Sequence, residues 1–150
     1  MITLIDNSGT LAESVKDSLS TYADHALRFL EKTKGHVTIV ISDDKGLQEL
    51  NSKYTGNNNP TDVLSFNADQ VDPETGNIYL GDVIISVDRA KIQSVENNIS
   101  LLDELTILTI HGILHLCGYD HIDEPSHKIM FAIQQRIFDQ LKENKFERYK

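Results

Sequence analysis

The chain is poor in cysteine and in positive charge, and it has no apolar run long enough to cross a bilayer. Its one cysteine, Cys117, cannot pair internally, which rules out a disulfide framework and fits a reducing compartment. The opening residues, MITLIDNSGT, have neither the basic n-region nor the apolar stretch of a secretory signal, so a cytoplasmic location is expected. The richest apolar segment, Leu101 to Leu116, is broken by Asp103, Glu104, His111 and His115 and reads as a buried helix, not a membrane span. Fourteen basic residues face twenty-three acidic ones, a formal charge of −9 that repels polyanions at long range. Between Lys53 and Lys128 the only basic side chains are Arg89 and Lys91, so any nucleic-acid contact must come from a local patch.

What is present is the composition of one globular domain. At 150 residues, 39% hydrophobic and 25% charged, the chain is large enough for a real core and too small to divide comfortably. No repeat, low-complexity tract or linker interrupts it. Ile2 to Ile5 read as a strand closed by Asp6, Asn7, Ser8 and Gly9. Leu11, Val15, Leu19, Tyr22, Ala26, Phe29 and Leu30 recur at helical steps over about six turns, and Gly35 is expected to end that helix. The β-branched run His36 to Ser42 predicts a strand covered on both faces. Asp43 or Asp44 caps a short helix, TGNNNP forms an exposed turn, and Val63 to Phe66 and Tyr79 to Ser86 form two further strands, with Gly81 a bulge or close-approach point. A helix from Ser86 carries Arg89 and Lys91, Ser100 caps the apolar helix, Gly118 stops it, and Pro125 opens a last helix striped by Ile129, Ile133, Ile137 and Leu141. The order βαβαββααα predicts a single α+β domain, a small mixed four-stranded sheet packed with about five helices.

The chemistry gathers in HGILHLCGYDH, His111 to His121. His111 and His115 lie one helical turn apart on one face, so both imidazoles reach one ion. The same face offers only Gly118 and Tyr119 further on, but Gly118 tolerates a left-handed reversal that returns His121 toward the pair. Three neutral imidazoles with a fourth position open describe a catalytic zinc site; nickel, iron or copper would accept the same donors. Any one histidine on an apolar helix is more often a hydrogen-bonded core residue, and it is the joint spacing that favours metal. His127 is an alternative ligand, whereas His25 and His36 have no partner pattern. Asp120 either orients a ligand imidazole or holds the turn. Glu104, about 10 Å from His111 along the axis, suits the helix start better than base catalysis. Asp62 faces the cleft or caps a turn, Cys117 points into the core, and Met130 packs there too.

The spacing is that of the metzincin zinc helix, HExxHxxGxxH, except that Gly112 replaces the glutamate that accepts the proton of the attacking water. Peptide hydrolysis by that route is therefore disfavoured. The whole stretch instead resembles the signature of the YbeY family of bacterial endoribonucleases. Asn59 to Phe66 resembles that family's PTDVLSF block, and Leu80 to Ser86 its block ahead of the zinc helix. The resemblance covers essentially the whole chain. It implies a metal-dependent hydrolase with one zinc held by His111, His115 and His121. It also implies single-strand-specific RNA cleavage in maturing the 3′ end of small-subunit ribosomal RNA and in ribosome quality control, with ribosomal RNA and the ribosome or an associated protein as partners and neither DNA nor membrane expected. Two routes stay open, zinc-activated water or attack by the RNA's own 2′-hydroxyl. Family members commonly carry an arginine where this chain has Thr55, which cannot clamp a phosphate. Lys53, Arg89 and Lys91 are the substitute candidates, and weak RNA binding in isolation is expected. A ribosome-associated binding module with a structural metal, and more remotely a metalloprotease, are the alternatives.

Overall fold

The computed structural model describes residues 1–56, 61–120 and 122–148. The elements are β1 (Ile2–Asp6), α1 (Glu13–Phe29), β2 (Gly35–Ser42), α2 (Asp44–Thr55), β3 (Val63–Val71), β4 (Ile78–Ser86), α3 (Val87–Glu96), α4 (Leu101–Leu116) and α5 (Glu124–Arg148), in the order expected from the sequence. They form a four-stranded sheet of order β1-β2-β4-β3. β1, β2 and β4 are parallel, and β3 returns antiparallel to β4 as an edge strand. Among the described residues no single helix is long and apolar enough to cross a membrane.

Three side chains cap helices, Asp43 and Ser100 as expected and Ser86 in addition. The Asp43 carboxylate accepts from Gly46 N at 2.7 Å, the Ser86 hydroxyl from Arg89 N at 3.2 Å and the Ser100 hydroxyl from Asp103 N at 3.0 Å. Each satisfies one of the N–H groups that a first helical turn leaves without a partner. The core lies between one face of the sheet and α1, α4 and α5. Val37, Ile39 and Ile41 of β2 and Val83 and Ile85 of β4 pack there with Leu19, Leu27, Leu105, Ile110, Ile113 and Leu114. Ten of the sixteen residues of α4 are buried, so this helix is the centre of the domain.

Several expectations are corrected. α1 is shorter than its apolar pattern: the chain leaves the helix at Leu30, Glu31 turns it with φ 59°, and Gly35 begins β2 instead of ending α1. β2 is fully covered on one face only. Its residues alternate buried and half-buried along the whole strand, with Thr38, Val40 and Ser42 on the half-buried side, so the cover is complete on one face and partial on the other. β3 extends five residues past Phe66, with its pairing to β4 shifted between Asn67 and Gln70, where Asp69 has φ 50°. In α5 the inward stripe runs through Met130, Ile137 and Leu141, while Ile129 is 57% exposed. A period of four residues from Ile129 slips off a 3.6-residue helix, and Met130, read as a packing residue, takes the inner position. Gly81 is the close-approach point expected: a Cβ there would lie 2.1 Å from the Phe66 carbonyl oxygen, and β2 and β4 slip register beside it.

Candidate metal centre and cleft

α4 ends in a way that can be followed carbonyl by carbonyl. A helix leaves its last four C=O groups without internal partners. Here Cys117 N donates to Ile113 O at 3.0 Å, Tyr119 N to Leu114 O at 3.0 Å and Gly118 N to His115 O at 3.1 Å. The last two bonds are the Schellman pair, made possible by the left-handed Gly118 at φ 94°. The fourth carbonyl, Leu116 O, accepts from Asn67 Nδ2 of β3 at 3.0 Å. One turn earlier, the Ser65 hydroxyl donates to Gly112 O at 3.1 Å. Two residues on one face of the edge strand thus hold the last two turns of α4.

Gly112 is what lets the helix come so close. A Cβ on it would lie 2.5 Å from Val83 Cγ1, 3.0 Å from Val83 Cγ2 and 3.2 Å from Ser65 Oγ. The position faces the sheet, and its carbonyl is the one Ser65 holds. A glutamate at this residue would have to displace β4, so the glycine belongs to the packing of this helix, and the acid of the protease motif has no space here.

His111 and His115 are half-buried and border a cleft of about 490 Å³, lined also by Thr61, Asp62, Ser65, Asn67, Tyr119 and Asp120. Their Nε2 atoms lie 3.1 Å apart with the rings edge to face. Two nitrogens each 2.0–2.1 Å from a tetrahedral zinc ion are separated by about 3.3 Å, so this pair matches two corners of such a site. His121 lies outside the described residues, as do Asn59 and Pro60 of the second block and the side chain of Thr55. Among the described residues no group of three histidine, cysteine, aspartate or glutamate side chains converges on one point.

The cations expected to meet substrate are elsewhere. Arg89 Nε lies 3.3 Å from Asp44 Oδ1, which also accepts the Ser86 hydroxyl at 2.7 Å, so this guanidinium fastens α3 to α2. Lys91 is exposed on α3, and Lys53 sits 5.3 Å over the ring of Tyr54. None of the three borders the cleft, and no described residue that does is a lysine or arginine. Asp62 does face the cleft, with Gln93 Nε2 donating to its carboxylate at 3.2 Å, and its backbone carbonyl accepts from Ser86 N at 2.9 Å. Asp120 is exposed at the rim.

The remaining candidates are placed as ordinary residues. Glu104 is buried in the first turn of α4, where burial pushes its carboxyl up; the Asn97 amide opposes the shift and Asp62 adds to it. Burial likewise pushes the Cys117 thiol up, and the side chain packs against the core. His25 is bonded to Gln140 Oε1 at 2.9 Å and His36 to Thr3 Oγ1 at 2.8 Å. His127 stacks on Phe131 and does not border the cleft. Three residues at the site escaped the sequence reading: Ser65, Asn67 and Gln134, whose Oε1 lies 3.0 Å from His111 Nδ1. Signals for them exist. Ser65 and Asn67 alternate about Phe66 with the period of a strand, and Gln134 is a polar residue in phase with Met130, Ile137 and Leu141.

α4 thus carries two paired imidazoles into a polar cleft beside an antiparallel edge strand. A sequence model described as Endoribonuclease YbeY matches residues 4–142. The chain is 37% identical over 153 residues to the endoribonuclease YbeY of Bacillus pumilus, with 93% of each chain covered. It is 40% identical over 141 residues to that of a Sulfurihydrogenibium species, covering 92% of this chain and 91% of the relative. With the Bacillus subtilis protein the identity is 34% over 149 residues. The fold is similar to the solution structure of TM1509 from Thermotoga maritima, with a TM-score of 0.68 over 99% of this chain and 93% of that one, at 24% identity. The chain belongs to the YbeY family of endoribonucleases.

Proposed function

We propose that this chain is a cytoplasmic, zinc-dependent endoribonuclease that cuts single-stranded RNA while the 3′ end of the small-subunit ribosomal RNA matures, and that it acts in ribosome quality control. As a family member it is a hydrolase of RNA. The observation that carries the metal reading is the approach of His111 Nε2 and His115 Nε2 to 3.1 Å at the wall of the cleft. His121 is the proposed third ligand. When bound, the metal supplies Lewis acidity at the scissile phosphodiester. Ser65 and Asn67 keep the two imidazoles at a fixed distance from the edge strand by holding the helix that carries them.

The cleft's charge bears on partners. Asp62 and Asp120 border it without a described lysine or arginine, in a chain of net charge −9. Phosphate contacts normally dominate RNA affinity, so this reading makes the ribosome or a protein on it the source of much of the binding. The same observation favours a second reading, a ribosome-bound module whose metal is structural. The metalloprotease alternative meets the space around Gly112 and is disfavoured.

One comparison separates these readings. Zinc-loaded wild type and His115→Ala are incubated with a single-stranded ribosomal RNA fragment and with a peptide library. Wild type should cut the RNA and leave the peptides intact, and His115→Ala should lose at least 100-fold in rate, roughly the loss of a metal ligand and more than that of an outer partner. Equal cleavage by both proteins overturns the nuclease assignment. RNA binding without cleavage supports the module.

A further inference from the structure

The contact at His111 Nδ1 bears on where the proton of this imidazole sits. A neutral imidazole carries one N–H, and which nitrogen holds it decides which nitrogen can bind a metal. His111 Nδ1 lies 3.0 Å from Gln134 Oε1, an amide oxygen that only accepts, so a hydrogen bond between the two requires the proton on Nδ1. Nε2, 3.1 Å from His115 Nε2, then keeps its lone pair. With the amide turned the other way, its NH2 would donate to Nδ1, the proton would move to Nε2, and the ligand position would be blocked.

From this geometry we infer that Gln134 is a positioning residue, whose carbonyl oxygen holds His111 in the tautomer that presents Nε2 to a metal. The inference rests on the zinc reading of the site. Gln134 does not border the cleft, so it acts only through the imidazole. It is itself well anchored. Met130 and Ile137, one turn to either side, are only 2% and 0% exposed, and Lys142 binds both carboxylate oxygens of Asp103 at 3.0 and 2.9 Å, clamping α5 to α4. A carboxylate in place of the amide keeps an acceptor at that point, whereas an apolar side chain of similar size removes it.

The test compares Gln134→Leu and Gln134→Glu with wild type by zinc competition against a chromogenic chelator, alongside melting of the metal-free proteins. Gln134→Leu should weaken zinc binding about 10- to 100-fold, the usual effect of losing a partner behind a metal ligand. Gln134→Glu should bind as tightly as wild type or more tightly. A clasp between helices alone would lower the melting temperature of Gln134→Leu and leave zinc affinity unchanged, and that result overturns the inference. So does an equal loss of affinity in both variants. Long-range proton–nitrogen correlation on metal-free wild type at pH 8 provides an independent reading that needs no folded variant. His111 should carry its proton on Nδ1; a proton on Nε2 refutes the assignment. If wild type binds no zinc the metal reading fails, and the tautomer measurement still decides whether Gln134 orients the ring.

Discussion

Alanine at Gly112 would probe how closely α4 lies on the sheet. Two terms of opposite sign compete. Alanine is about 1 kcal/mol better than glycine inside a helix. Against that, the new methyl would sit 2.5 and 3.0 Å from the two Val83 methyls and 3.2 Å from the Ser65 hydroxyl. Overpacking of this kind costs about 1–3 kcal/mol. Val83 is fully buried and β-branched, with no free rotamer to retreat into, so the upper part of that range applies. The net result is a loss of about 1–2 kcal/mol, or roughly 2–8 °C in melting temperature for a domain of this size. Val83→Ala removes both offending methyls and itself costs about 2–3 kcal/mol. In that background only the Ser65 hydroxyl, at 3.2 Å, still crowds the methyl, and Gly112→Ala should stabilise by up to about 1 kcal/mol. The four proteins form a double-mutant cycle with a coupling of up to about 2–3 kcal/mol, measured by urea denaturation followed by circular dichroism on metal-free protein. If Gly112→Ala changes stability by the same amount with Val83 and with alanine at that position, the close approach of helix and strand is not what requires the glycine.

Two further expectations concern the supports of α4. Burial raises the Glu104 carboxyl above its ordinary value of 4.5, so the folded protein holds that proton more tightly than the unfolded chain, and stability present at low pH is lost as pH rises through the raised value. Glu104→Gln, which keeps an acceptor for the Asn97 amide, should therefore gain on wild type progressively from about pH 4.5 upward in urea denaturation; a difference constant with pH would refute this. Asn67→Ala strands the Leu116 carbonyl and should cost about 1 kcal/mol, some 2–4 °C by calorimetry. Asn67→Asp, which puts negative charge at the negative end of the helix dipole, should fall further, and equal melting of Asn67→Ala and wild type would sink the capping role.

Much of this structure is legible in the sequence because the signals are local. Asp43, Ser86 and Ser100 act within three residues of themselves, and Gly118 reverses the chain at the place its lack of a side chain permits. The pairing of His111 with His115 follows from helical spacing alone. What was misread depends on partners far along the chain. The unequal cover of the two faces of β2 depends on what packs on each side of the sheet, which no window over β2 records. Gly112 looked like a chemical substitution from its motif, yet its reason is Val83, a residue of another element. Arg89 attracted notice because cations are scarce, and composition could not show that Asp44 had already claimed it.

The way α4 ends also bears on reuse of its histidines. The segment from His111 to Gly118 contains the donors for three of the helix's four terminal carbonyls when Tyr119 is added, but the fourth is supplied by Asn67, 49 residues earlier in the chain. The valine that Gly112 packs against belongs to β4, and the group behind His111 belongs to α5. A designer who grafted HGILHLCGYDH onto a foreign helix would transplant the imidazoles and leave behind an edge strand, a packing partner and a glutamine. The portable unit is the helix together with β3, β4 and the middle of α5, which amounts to most of the domain.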